Sequence, residues 1–174
     1  MDYETLAQDL VELDDEFQPV TVCIYWRDFN LGRHMPFAER GLRIVSAGHR
    51  ADPAFLFRFL HICRLHRYAS SNELGSHICY SVKAGCSFFF LRTKAQPSYT
   101  AEPEALRLHF FPSSSEHESS LRELFSVPVK EPTTEQMNTV DYYLGADYLK
   151  SPSELRQQLR QFELHDRLGF FTHR

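Results

Sequence analysis

Four short apolar runs, each followed by a stretch of helical character, constrain this chain more than any other feature. Val20 to Trp26, Leu42 to Ala47, Tyr68 to Ser71 and Cys86 to Leu91 are β-branched, aromatic or apolar and are bounded by Pro, Gly or charged turns. Between them lie a short helix opened at Pro36 and closed by Gly41, a helix carrying Phe55, Leu56, Phe59, Leu60 and Cys63, and a helix from about Ser76 to Lys83 ended by Gly85. Strands that alternate with helices predict a parallel sheet with right-handed crossovers, because a parallel neighbour is reached only over the face of the sheet. The expected fold is therefore α/β, a Rossmann-like parallel sheet of about four to six strands flanked by helices.

The segments on either side are less regular. Tyr3 to about Phe17 reads as an amphipathic helix, with Leu6, Leu10 and Leu13 on one face and acids on the other. Asp28 to Gly32 reads as a loop, and Leu106 to Phe111 as one more strand. Three helices follow, Glu116–Phe125, Thr133–Tyr148 and Ser153–Phe162, the last entered through Ser151-Pro152-Ser153-Glu154. The expected organisation is one domain over 1–174, with a core over 20–115 and a helical C-terminal segment over 116–174.

The apolar fraction of 43% and charged fraction of 24% fit a globular chain that folds without staples. A formal net charge of −4, with Arg58, Arg64 and Arg67 forming only a local basic cluster, argues against nucleic acid as the main partner. The four cysteines, Cys23, Cys63, Cys79 and Cys86, lack metal-site or disulfide-framework spacing, so reduced, mostly buried thiols in a cytoplasmic protein are expected. No apolar run reaches the roughly 18 residues of a membrane span. The acidic start Met1-Asp2-Tyr3-Glu4 does not read as a signal peptide.

Ligands of open parallel sheets bind beyond the carboxyl ends of the strands. Three segments land there. Ser70-Ser71-Asn72-Glu73-Leu74-Gly75-Ser76-His77 leaves a strand and opens a helix, offering hydroxyls, an amide and a glycine that admits close backbone approach. That combination suits a phosphate or carboxylate, although Asn72 or Ser76 could equally cap the helix and Gly75 turn the chain. Gly48-His49-Arg50 places an imidazole at a strand end, where it can donate to a phosphate or act as acid or base. Asp52-Pro53 reads as the start of the next helix. The third segment offers Arg27, Asp28, Arg33 and His34, read first as solvated loop charge, with Asp28 as a possible base and Arg33 as a possible anion ligand.

Other chemistries lack their patterns. There is no GK[ST] phosphate loop and no G-x-S-x-G elbow, and His61 and His66 are five apart rather than four. No metal or cofactor is expected.

The runs Gly41 to Leu56 and Ser70 to His77, with Cys23-Ile24-Tyr25-Trp26-Arg27-Asp28 before them, resemble the nucleotide-binding half of bacterial GT-B glycosyltransferases of surface-polysaccharide synthesis. In the sialyltransferase-like branch a His-Pro pair and a Ser-Ser or Ser-Thr pair hold the nucleotide phosphate. His49 matches the histidine, Arg50 stands in place of the proline, and Ser70-Ser71 matches the serine pair. The resemblance covers residues 20–92 well and the C-terminal helices loosely. It implies one half of a GT-B fold binding a CMP-, UDP- or GDP-linked sugar in the bacterial cytoplasm. His49 is the implied catalytic group, with Gly48, Arg50, Ser70, Ser71, Asn72, Gly75, Ser76 and His77 around the substrate. Two such halves need well over roughly 300 residues. The chain is therefore expected to be a fragment lacking the N-terminal acceptor half and its catalytic base, or to have its cleft completed by a partner chain, or to be a degenerate relative that binds without turnover. A partner protein or homo-oligomer is one expectation, and Phe170 and Phe171 either pack back on the domain or fit a partner-facing patch. The alternatives are a non-catalytic assembly subunit and, on fold analogy alone, another enzyme such as a nucleotide-sugar epimerase.

Overall fold

The computed structural model describes residues 2–91 and 115–167. Helix α1 spans Tyr3–Val11. Asp2 caps it, its carboxylate accepting from the amides of Glu4 and Thr5, both at 3.1 Å. Leu6, Ala7 and Leu10 form its buried stripe. The helix stops short of Phe17, and a separate 3-10 turn covers Asp15–Phe17. The Gln18 amide accounts for part of this. Its Nε2 donates to the carbonyls of Leu10 and Leu13, each at 3.2 Å, and so satisfies acceptors that further helix would have used.

Strand β1 (Thr21–Cys23) is shorter than the apolar run that contains it. The run from Val20 to Trp26 does not continue extended, because helix α2 (Trp26–Asn30) opens at Trp26 and takes in most of the stretch read as loop. Helix α3 (Met35–Glu39) and strand β2 (Arg43–Val45) follow, then α4 (Phe55–Arg64), β3 (Tyr68–Ser71), α5 (His77–Lys83) and β4 (Ser87–Phe90). Beyond residue 114 come α6 (Ser115–Leu124), α7 (Thr134–Leu144), a 3-10 turn at Ala146–Tyr148, and α8 (Pro152–Arg167). The expected strand Leu106–Phe111 and the patch at Phe170 and Phe171 lie outside the described residues.

The strands pair in parallel, as the alternation predicts, but as two separate ladders. β1 pairs with β2, with Val22 opposite Ile44, and β3 pairs with β4, with Ala69 opposite Phe88. Among the described residues the architecture is mixed α/β with two two-stranded parallel sheets, not one sheet of four to six strands. Between β1 and β3 runs a cavity of about 510 Å³.

Two apolar clusters flank that cavity. One gathers Ile78 and Val82 of α5, Phe88 and Phe90 of β4, Leu121 and Phe125 at the end of α6, and Val140 of α7. All four residues of β4 are buried, as expected for a strand covered on both faces. The other joins α1 to Phe37 of α3, with Val22, Ile44 and Leu91 against it. Gln136 ties the C-terminal helices together. It completes a capping box with Thr133 at the start of α7, and its Nε2 donates to the Leu124 carbonyl at 3.0 Å. No helix of the described residues is long and apolar enough to cross a membrane.

Candidate functional site

Residues at and beyond the carboxyl ends of β1, β2 and β3 line the cavity. Tyr25 after β1, Gly48 after β2, and Ser70, Ser71, Asn72, Glu73 and His77 at and beyond the end of β3 all line it. Much of the rest of the wall is apolar, including Leu10, Val22, Phe37 and Phe88. A mostly apolar pocket with a few convergent polar groups is the usual form of a small-molecule site, and about 500 Å³ lies within the usual size range.

The turn after β2 is held from below. Gly48 has φ +89°, a conformation that L side chains rarely adopt. A Cβ there would also stand 2.8 Å from Nη2 of Arg58. The Arg58 guanidinium donates through Nε to the Ala47 carbonyl at 2.7 Å and through Nη2 to the Asp52 carboxylate at 2.7 Å. Asp52 accepts from the Ala54 amide at 2.8 Å. That bond and Arg58 hold its carboxyl below the ordinary range. Asp52 thus starts the turn before α4, and the helix itself begins at Phe55.

His49 is exposed on this turn, as is Arg50. Its Nδ1 accepts from the Ala51 amide at 3.1 Å. In the neutral ring the proton therefore sits on Nε2, which leaves an N–H able to donate outward. The ring lies 5.2 Å from Trp26 and 6.5 Å from Tyr25, centroid to centroid.

The loop after β3 differs from a simple helix cap. Ser71 Oγ accepts from the Glu73 amide at 3.0 Å and sits 3.2 Å from the Glu73 carbonyl, closing a local turn. Asn72 does not cap α5. It is only 6% exposed, and its Nδ2 has no hydrogen-bond partner. Ser76 precedes α5 without a side-chain cap bond. Gly75 permits a close approach, since a Cβ there would stand 2.8 Å from Nδ1 of His77. Burial pushes the His77 imidazole down to about 4, against a weaker upward pull from its bond to the Glu73 backbone. Nε2 of His77 is buried without a partner. Unpaired buried polar atoms are uncommon, and these two belong to residues that line the cavity although the atoms themselves have almost no accessible surface.

The structure therefore brings Gly48, Ser70, Ser71, Asn72 and His77 to one cavity. It leaves His49 and Arg50 on the adjoining exposed turn, and Gly75 and Ser76 do not line the cavity. Asp28 and Arg33 pair with each other, and the guanidinium also lies 5.7 Å over the Tyr3 ring. The Arg33 charge is thus already matched within the chain. Two contributors were not singled out from the sequence. Glu73 lines the cavity, and its carboxyl is raised by burial and, secondarily, by the nearby Asp28 charge. Arg58 underpins the Gly48 turn, and nothing in its helical spacing signals that contact. Cys63, Cys79 and Cys86 are buried thiols, while Cys23 is exposed and also lines the cavity. No group of three or more His, Cys, Asp or Glu among the described residues is arranged to hold a metal ion.

The fold is mixed α/β, and polar residues of the loops that follow β1, β2 and β3 line one cavity. Comparison with protein-family models, with curated proteins and with solved structures finds no match.

Proposed function

We propose that this chain is a nucleotide-sugar-binding domain of the glycosyltransferase type, of the kind that serves bacterial surface-polysaccharide synthesis. The two parallel strand pairs are, on this reading, parts of one Rossmann-like sheet, half of a GT-B fold. The observation that carries it is the convergence of Gly48, Ser70, Ser71, Asn72 and His77 on a single cavity at the strand carboxyl ends. Ser70 donates to the donor phosphate, the outward Nε2–H of His49 donates to the same anion, and the unpaired, buried Asn72 amide joins them once its side chain turns toward the cavity. As the nucleotide departs, these donors stabilise the charge that develops on its phosphate, with no metal called for.

Thermal denaturation of the chain with CMP, UDP and GDP at millimolar concentration tests the reading. A ligand that binds only the folded state must raise the melting temperature. Stabilisation by one of the three supports the reading, and no shift with any of them removes it.

A second reading is that the domain works only with a partner chain that completes the cleft. Exposed apolar residues at the C-terminal end favour it: Tyr148, Leu149, Leu155, Leu159 and Phe162 are all open to solvent. Leu155, Leu159 and Phe162 share one face of α8 at spacings of four and three. Transferase activity from a purified monomer would exclude a purely accessory role.

A further inference from the structure

Trp26 is the chain's single tryptophan and stands outside both apolar clusters. It is 37% exposed at the carboxyl end of β1. Its ring lies 5.2 Å from His49 at 52° and 5.9 Å from Tyr25 at 65°. Residues 26 and 49 leave different strands, so their contact is made by the fold and not by sequence proximity. A large aromatic left partly open, and steadied by two neighbouring rings, forgoes burial in the core.

We infer that Trp26 is the stacking platform for the nucleobase of the bound nucleotide. This rests on the nucleotide reading above and assigns the base to one side of it. His49 joins the two regions, because its imidazole touches Trp26 while its Nε2–H is free for a phosphate. A base needs little more than a flat apolar face, since stacking tolerates any base and hydrogen bonds refine the choice. A sugar ring needs amides and carboxylates around its hydroxyls. Residues with groups of that kind, Asn72, Glu73 and His77, line the cavity, and Trp26 does not. The base therefore lies on the aromatic side and the sugar and phosphates on the polar wall.

The test uses the full chain and reads binding in two ways. Trp26 emission is followed during titration with CMP, UDP and GDP, and the same titrations are run by calorimetry. Glucose 1-phosphate and inorganic phosphate serve as ligands without a base. A saturable change in emission with a nucleotide, and none with the two base-free ligands, is the expected result. By calorimetry Trp26→Ala weakens that nucleotide about tenfold, the scale of one stacked base, while Trp26→Phe stays close to the parent. Unchanged nucleotide affinity in Trp26→Ala, or an equal emission change with glucose 1-phosphate, overturns the platform and leaves the nucleotide reading standing. Absence of calorimetric binding by all three nucleotides to the parent chain overturns both.

Discussion

The guanidinium of Arg58 occupies the space that a side chain on residue 48 would need, with Nη2 only 2.8 Å from the position of a Cβ on Gly48. A residue one turn into α4 thereby determines what the chain can place at the end of β2. Gly48→Ala meets both this contact and the positive φ of +89°. We expect it to cost about 1–2 kcal/mol from the backbone conformation alone, and more if the ion pair with Asp52 is displaced. Urea denaturation measures the loss. An unchanged midpoint would show that the turn can relax.

His49→Ala removes the outward N–H next to the cavity mouth. Nucleotide affinity is expected to fall by about 1–3 kcal/mol, the scale of a charge-assisted hydrogen bond, with little change in stability because the ring is exposed. Ser71→Ala is expected to weaken binding by a different route, since its hydroxyl closes the turn onto Glu73 and presents the loop. Calorimetry with the nucleotide that stabilises the parent chain checks both. Full affinity in both variants would contradict the assigned roles.

Asn72→Ala separates function from folding. The parent chain buries an amide whose Nδ2 lacks a partner, and such a group costs about 1–3 kcal/mol. Removing it should leave stability unchanged or higher while weakening the nucleotide. A clear drop in melting temperature together with unaltered binding would identify Asn72 as a structural residue.

His77 makes stability fall on the acid side. The folded imidazole titrates at about 4, against 6.5 for the free side chain. Between those values the unfolded chain takes up a proton that the folded chain refuses. The contribution is therefore complete above pH 6.5, declines as pH drops toward 4, and changes no further below. A shift of that size corresponds to about 3 kcal/mol. Glu73, raised in the fold, acts in the opposite sense, so the comparison is made against His77→Gln at the same pH values. The variant should show a flatter profile between pH 7 and 4, read by urea midpoints.

Thr133→Ala tests the C-terminal helices. It removes the hydroxyl that accepts from the Gln136 amide at 3.2 Å. Loss of an N-cap of this kind costs about 1 kcal/mol. The effect should appear in global unfolding, because Gln136 also links α7 to α6.

Much of the local structure is readable from residue type. Tyr68–Ser71 is a strand over the span that its composition predicts, and Gly41 and Gly85 mark turns where φ is positive, whereas the helix expected to run on to Tyr148 ends at Leu144 because Gly145 takes a positive φ. The helix entry at Ser151 is also local, with the Ser151 amide donating to the Glu154 carboxylate at 2.8 Å. The misreadings share a cause. An apolar run such as Val20–Trp26 does not reveal where a strand yields to a helix, because both bury the same side chains. The end of α1 depends on a side chain eight residues beyond Leu10, which hydropathy does not register.

The sequence by itself determined the order of the four strands, the helices between β2 and β4, the parallel sense of the paired strands, and the loops after β2 and β3. These follow from periodicity and turn chemistry, which act over a few residues. Only the tertiary structure decided that the loops after β2 and β3 share a cavity, that Asn72 turns inward instead of capping, and that Trp26 meets His49. Those relationships depend on packing between segments far apart in the chain, and no local pattern encodes the distance between them.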